Sequence, residues 1–210
     1  MTGLGVTRVR GFLLGLLLGL LVLPVAVWGW LRFGHPPVAV SDPSLPFEKQ
    51  IVHMPMHRRI AAEMPQHAAM DPSPTNLLLG AQVYRQDCAS CHGLYGIPSE
   101  YGPHMFPHAP QLWKPHHNGV VGVSDDPAGE TYWKVKNGIR LSGMPAFDKV
   151  LNDAQMWQVT VLLANAGKPL PSNVLQLLQK PLAEASEIPS TPAPTPSEPT
   201  VIPTQPLPNE

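Results

Sequence analysis

Net charge is almost missing from this chain: 14 Lys and Arg stand against 15 Asp and Glu, a formal balance of -1. No broad basic or acidic field is there to attract nucleic acid or hold an acidic substrate, so electrostatic steering must come from local patches. The stretch 76–168 is balanced as well, with seven basic and seven acidic residues. Cysteine is scarce, with only Cys88 and Cys91. A structural zinc centre would need two further ligands at matching spacing, and there is no second Cys pair to supply them. Charge vanishes altogether between residues 12 and 31. Proline is the counterweight: its 27 residues far exceed the usual share of about 5%, and they gather mostly outside the central stretch.

The two cysteines sit in Cys88-Ala89-Ser90-Cys91-His92. Two thiols separated by two residues, with an imidazole directly after them, form the attachment signature of a c-type haem. One helical turn places the sulfurs where each can add to one vinyl group of the same porphyrin, and the next residue projects its imidazole toward the iron. The pair also invites two other readings, a thioredoxin-like redox couple or half of a zinc site. The first lacks its βαβ setting and the second lacks its other half. A second covalently held haem would need another such motif, and the chain has none.

Further residues extend the pattern: Gly93 and Gly96, Ala109-Pro110-Gln111-Leu112, Asn137-Gly138-Ile139, and Gly143-Met144-Pro145-Ala146-Phe147. Together they resemble a class I (monohaem) cytochrome c across roughly residues 76 to 168, under half of the chain. The resemblance implies an all-α domain of about three to four helices around one covalent haem c. It implies His92 and Met144 as the two iron ligands. It also implies a carbonyl from Pro110 to the His92 imidazole, a bond that fixes ring orientation and raises ligand basicity, and Leu112 packing on the porphyrin. Gly80 and Tyr84 fall where the family crosses its first and last helices closely, and Trp157 is expected to meet them. A glycine inside a helix costs about 1 kcal/mol relative to alanine, which argues for a close backbone approach there. Met105, thirteen residues beyond His92, is expected to stay on the proximal side.

Residues 1–33 read as an N-terminal transmembrane anchor. A spanning helix needs about 20 apolar residues, the uncharged run supplies them, and Arg8 and Arg10 ahead of it place the N-terminus in the cytoplasm. A cleaved secretory signal with an apolar core ending near Pro24 is the competing reading; length favours the anchor. Residues 34–75 read as a Pro-rich, semi-rigid spacer with a short docking helix over Met56–Met64, its Ile60 and Met64 on one side. His53, Met54, Met56, His57, Met64, His67 and Met70 raise copper binding, because imidazole and thioether are good copper ligands. Pro55 speaks against a helical pairing of His53 with His57. The cytochrome domain spans 76–180. It is expected to contain a helix from Leu77 to Asp87 capped by Asn76, a haem-wrapping loop, a helix from Glu130 to Asn137 stopped by Gly138, a last helix near Asp153–Asn165 capped by Asn152 or Asp153, and a turn or two at 174–179. Nine prolines among the last thirty residues mark 181–210 as a disordered tail.

With both axial positions filled, the resemblance implies a one-electron carrier rather than an enzyme. The thioether favours ferrous iron relative to bis-imidazole ligation. The expected role is transfer of single electrons between respiratory-chain partners by a membrane-tethered cytochrome, with its haem domain on the periplasmic side of a bacterial inner membrane and no nucleic-acid partner. A cytochrome subunit of a larger oxidase or dehydrogenase is the near alternative. A haem sensor or enzyme with a labile Met144, or a copper-handling protein, is the distant one. Lys134, Lys136 and Arg140 form a modest basic cluster for partner docking.

Overall fold

A computed structural model describes residues 3–182 and contains seven α-helices. Among those residues the only β pairings are two isolated bridges, Leu94 with Ile97 and Pro115 with Val121, so the expected all-α class is what is found. Apart from its first two residues, the expected tail lies outside the described residues.

Helix α1 (Gly3–Phe33) carries the uncharged run straight through Pro24. Its stretch Val9–Phe33 has a mean hydropathy of 2.4 and is not covered by any of the described residues. At 1.5 Å per residue those 25 residues reach about 38 Å, enough for the roughly 30 Å hydrocarbon core of a bilayer.

Helix α2 (Glu48–Glu63) corrects two expectations. It starts eight residues before Met56, and it continues through Pro55 although that residue cannot donate to the Ile51 carbonyl. What holds it lies at its other end. Ile60 is buried, and Trp133 Nε1 donates to Glu63 Oε2 at 3.0 Å. Glu63 also receives Arg59 Nε at 2.9 Å. The Trp133 hydrogen bond, and after it Arg59, hold this carboxyl below the usual glutamate range. The spacer therefore ends in a helix docked against α5.

Helix α3 (Pro74–Asp87) begins earlier than expected, because Ser73 rather than Asn76 is its cap: Asn76 N donates to Ser73 Oγ at 3.2 Å. Proline at the first helical position suits this start, since its missing N–H would have had no intrahelical partner. Helix α4 (Ala89–His92) follows at once. Helix α5 (Ala128–Asn137) ends at Gly138. Helix α6 (Asp153–Ala164) opens on a capping box in which Asn152 and Gln155 bond each other's backbone N–H. Helix α7 (Ser172–Gln179) supplies the two turns expected and begins two residues before 174.

The core forms where α3 crosses α6. Ala81, Tyr84, Val159, Thr160 and Leu162 are completely buried there. Each large apolar side chain among them contributes about 1.5–3 kcal/mol over exposure. At the crossing, a β-carbon on Gly80 would overlap the Gln158 carbonyl and stand 3.1 Å from Leu162 Cβ. Trp157, expected opposite Gly80, instead stacks on Tyr132 of α5, with centroids 4.2 Å apart and planes 15° apart. It lies one position from Gln158, which turns it about 100° around α6 toward the neighbouring helix. Helix α7 buries Val174 and Leu178 completely and packs on α3. Arg85 of α3 seals its far end, donating to the carbonyls of Leu177 at 2.9 Å and Pro181 at 3.2 Å, and to that of Lys180.

Candidate functional site

The attachment motif is built as a hinge between two helices. Cys88 ends α3, its N–H bonded to the Tyr84 carbonyl at 2.9 Å, and its own carbonyl accepts from Cys91 N at 3.2 Å and His92 N at 3.0 Å. Both cysteines are half-buried and unpaired, one short turn apart. Burial, then the neighbouring Asp87 and Cys91, push the Cys88 thiol up to about 12. A redox dithiol needs the opposite, a thiol tuned below its ordinary value. The same burial raises Asp87.

His92 is oriented by the loop that follows. Its Nδ1 lies 2.8 Å from the Pro110 carbonyl oxygen; a carbonyl can only accept, so Nδ1 carries the proton and donates. Nε2 is left without a hydrogen bond among the described residues. Burial lowers the imidazole pKa, with the Pro110 bond acting against it, so the ring is neutral at ordinary pH. Leu112 is buried, and its N–H donates to the His92 carbonyl at 3.2 Å. The residues marked by the sequence, His92, Pro110 and Leu112, are thus joined by hydrogen bonds, one from the imidazole and one between backbones.

Two more residues hold this arrangement, and neither stands out by its place in the chain. Ser99 Oγ donates to the Ser90 carbonyl at 2.5 Å and accepts from the N–H groups of Tyr101 at 3.1 Å and Gly102 at 2.9 Å. Gln111 Oε1 accepts from Ser99 N at 2.7 Å, while its Nε2 donates to the Cys91 carbonyl at 3.4 Å. Gln111 lay inside a recognisable stretch; a lone serine in a loop rich in glycine and proline carries no periodic signal. Tyr84 OH donates to the Gly93 carbonyl at 2.7 Å, and its burial, then Cys88, raise its pKa strongly. Trp113 meets Tyr84 edge-on at 5.5 Å.

Met144 sits in the loop between α5 and α6, half-buried against the apolar cluster that also takes in Cys88 and Leu112. Its N–H donates to Ser142 Oγ at 3.1 Å and its carbonyl accepts from Ile139 N at 3.2 Å. Met105, expected on the proximal side, is found beside Gly143. Its terminal methyl fills the space a side chain on Gly143 would occupy, so it touches the loop that carries Met144. The basic cluster is also revised. Lys134 is tied to Glu130 at 2.7 Å and Asp126 at 3.3 Å, while Lys136, exposed and over the Tyr132 ring at 5.7 Å, and the exposed Arg140 are its remaining part. Helix α2 brings the His53 and His57 rings to 5.6 Å, the pairing that Pro55 was expected to prevent. Among the described residues no group of three or more His, Cys, Asp or Glu side chains is placed to hold a metal ion.

The donors present fit a covalently held haem. They are two unpaired thiols one turn apart, an imidazole with Nδ1 engaged and Nε2 free, and a thioether on a separate loop. The Trp113 ring lines a cavity of about 330 Å³ together with His92, Leu94, Ile97 and Gln111. The family model described as "Cytochrome C oxidase, cbb3-type, subunit III" matches residues 75–163. Comparison with curated proteins and with solved structures gives no match.

Proposed function

We propose that residues 75–163, which match the cbb3-type subunit III family model, form a class I cytochrome c domain with one covalently bound haem c, and that the chain passes single electrons between respiratory partners from a membrane-tethered position, through iron ligated by His92 and Met144. The observation that carries this reading is the 2.8 Å bond from His92 Nδ1 to the Pro110 carbonyl. It fixes the tautomer and leaves Nε2 as the lone pair for a metal.

When bound, the haem supplies a one-electron ferric/ferrous couple. The protein's part is to hold and shield it. Cys88 and Cys91 would hold the porphyrin by adding their S–H across its two vinyl groups, and His92, with Nε2 held in a fixed orientation, and Met144 would ligate the iron and exclude external ligands. Leu112 would cover the ring with apolar surface, and the bonds from Ser99 and Gln111 keep the attachment turn and the Pro110 loop in register. None of these groups needs to move or take up a proton when one electron arrives, which keeps reorganisation small.

Helix α1 is the anchor in this reading, and Arg8 and Arg10 ahead of it favour a haem domain on the outer side of a bacterial inner membrane. A second reading, a fixed subunit of a larger oxidase, is favoured by the printed name of the matching family and by the docking of α2 on α5 through Trp133 and Glu63. A docked helix shortens the free tether and narrows the reach of the domain.

Absorption spectra of the purified protein, oxidised and reduced, with and without carbon monoxide, test the ligation. The wild type should stay six-coordinate and ignore carbon monoxide, and Met144→Ala should bind it. Binding by the wild type that is unaltered in the variant would remove Met144 from the iron and turn the reading toward a sensor or enzyme. Co-purification with larger membrane subunits separates the fixed subunit from the free carrier.

A further inference from the structure

The hydrogen bonds that hold the loop carrying Met144 are local ones. Ser142 Oγ donates to the Ile139 carbonyl at 2.7 Å and accepts from Met144 N, and Phe147 N donates to the Val135 carbonyl at 3.1 Å. All of these bonds lie within the segment 135–147. The same segment contains Leu141, at φ 62 and 76% exposed. A leucine in the left-handed region is strained, and such a conformation persists only where its surroundings enforce it.

Met105 is what meets this loop from the other side. It belongs to the segment after the haem-attachment motif and is tied to that motif by a short relay. Met105 N donates to the Gly102 carbonyl at 3.4 Å, Gly102 N donates to Ser99 Oγ, and Ser99 Oγ donates to the Ser90 carbonyl between the two cysteines. The terminal methyl of Met105 rests in the notch left by the missing side chain of Gly143, with its sulfur 3.8 Å from where a β-carbon would stand. Gly143 is the residue immediately before Met144. The thioether side chain is flexible enough to fill so irregular a space, and a β-carbon on Gly143 would displace its methyl group.

We propose that Met105 is a positioning residue: seated on Gly143, it latches the Met144 loop to the haem-attachment segment and so controls how readily an external ligand displaces the Met144 sulfur. The inference rests on Met144 as an iron ligand. It assigns Met105 a packing role and no bond to the metal.

The test uses the haem-loaded full chain in detergent. It follows the rate of carbon monoxide binding to the reduced protein and the thioether-to-iron charge-transfer absorption of the oxidised protein. Met105→Ala should bind carbon monoxide at least about tenfold faster than wild type and weaken the charge-transfer band. Met105→Leu keeps the bulk without the sulfur and should stay within about threefold of wild type. Gly143→Ala, which displaces the Met105 methyl, should act in the same direction in the wild-type background and add little to Met105→Ala, as expected for two halves of one contact. If Met144→Ala gains carbon monoxide binding while Met105→Ala behaves as wild type, the latch is overturned and the Met144 ligation stands. If Met105→Leu is as impaired as Met105→Ala, the sulfur matters rather than the packing, and the positioning role is overturned. If wild type and Met144→Ala bind carbon monoxide alike, the ligation reading falls and the latch falls with it.

Discussion

Replacing Gly80 by alanine sets helix propensity against packing, and the geometry of the α3–α6 crossing decides which wins. On propensity alone, alanine at an interior helical position should stabilise by about 1 kcal/mol. The added methyl, however, would lie 2.8 Å from the Gln158 carbonyl carbon and 3.1 Å from Leu162 Cβ. Carbon atoms rest at about 3.5 Å or more, so the two helices must part by roughly 0.7 Å. A gap of that size forfeits about a quarter to a half of the dispersion energy at each contact it opens. The contacts at risk include those of Ala81, Tyr84, Val159 and Leu162, all completely buried. Overpacking a closed core costs about 1–3 kcal/mol, and here the obstruction is backbone, which no rotamer change relieves. The upper part of that range applies, leaving a net loss of about 2 kcal/mol after the propensity gain. In a urea titration of the haem-loaded full chain, followed at the Soret band, the midpoint should fall by about 1 M, while the haem stays attached through its thioethers. A Gly80→Ala midpoint at or above that of wild type would refute the close crossing.

Three further outcomes follow from other parts of the structure. Ser99→Ala removes the acceptor of two N–H groups and the donor to Ser90 in one step, and should lower unfolding stability by about 1–3 kcal/mol; a loss below about 0.5 kcal/mol would be that of an ordinary surface change. Ile60→Ala empties the buried contact of α2 and should release that helix, seen as rapid proteolysis within 48–75 with the haem spectrum unchanged; unaltered cleavage would place the docking energy elsewhere. Burial, then the Asp153 hydrogen bond, push the Tyr132 hydroxyl up to about 12 from 10.0. Between those values the unfolded chain has lost a proton that the folded chain keeps, so stability should fall as pH rises from about 10 toward 12. Tyr132→Phe should lack that share of the decline, and identical pH profiles would show that Tyr132 is not its source.

The haem motif, the all-α class and the helix positions were legible because local chemistry dictates them. A Cys pair one turn apart followed by histidine, a glycine inside a periodic helix, and an uncharged run of membrane-spanning length state their meaning within a few residues. The Pro110 carbonyl was placed from resemblance, and its bond to His92 is found in the structure. What could not be read were preferences settled between segments distant in sequence. Local rules argued for breaking α2 at Pro55, yet the helix continues to a docking site on α5 formed by Trp133, 70 positions beyond Glu63. Trp157 was assigned to Gly80 by the face it shares with other apolar residues, and only the relative rotation of three helices turned it onto Tyr132. Lys134 and Lys136 form a basic cluster in sequence; the charge of Lys134 is spent on Glu130 and Asp126, and only Lys136 remains exposed. Met105 and Gly143 are each ordinary where they stand in the chain. Only the fold brings a methyl group into the space of a missing side chain, because packing is decided by volumes that meet in three dimensions and leave no period in the sequence.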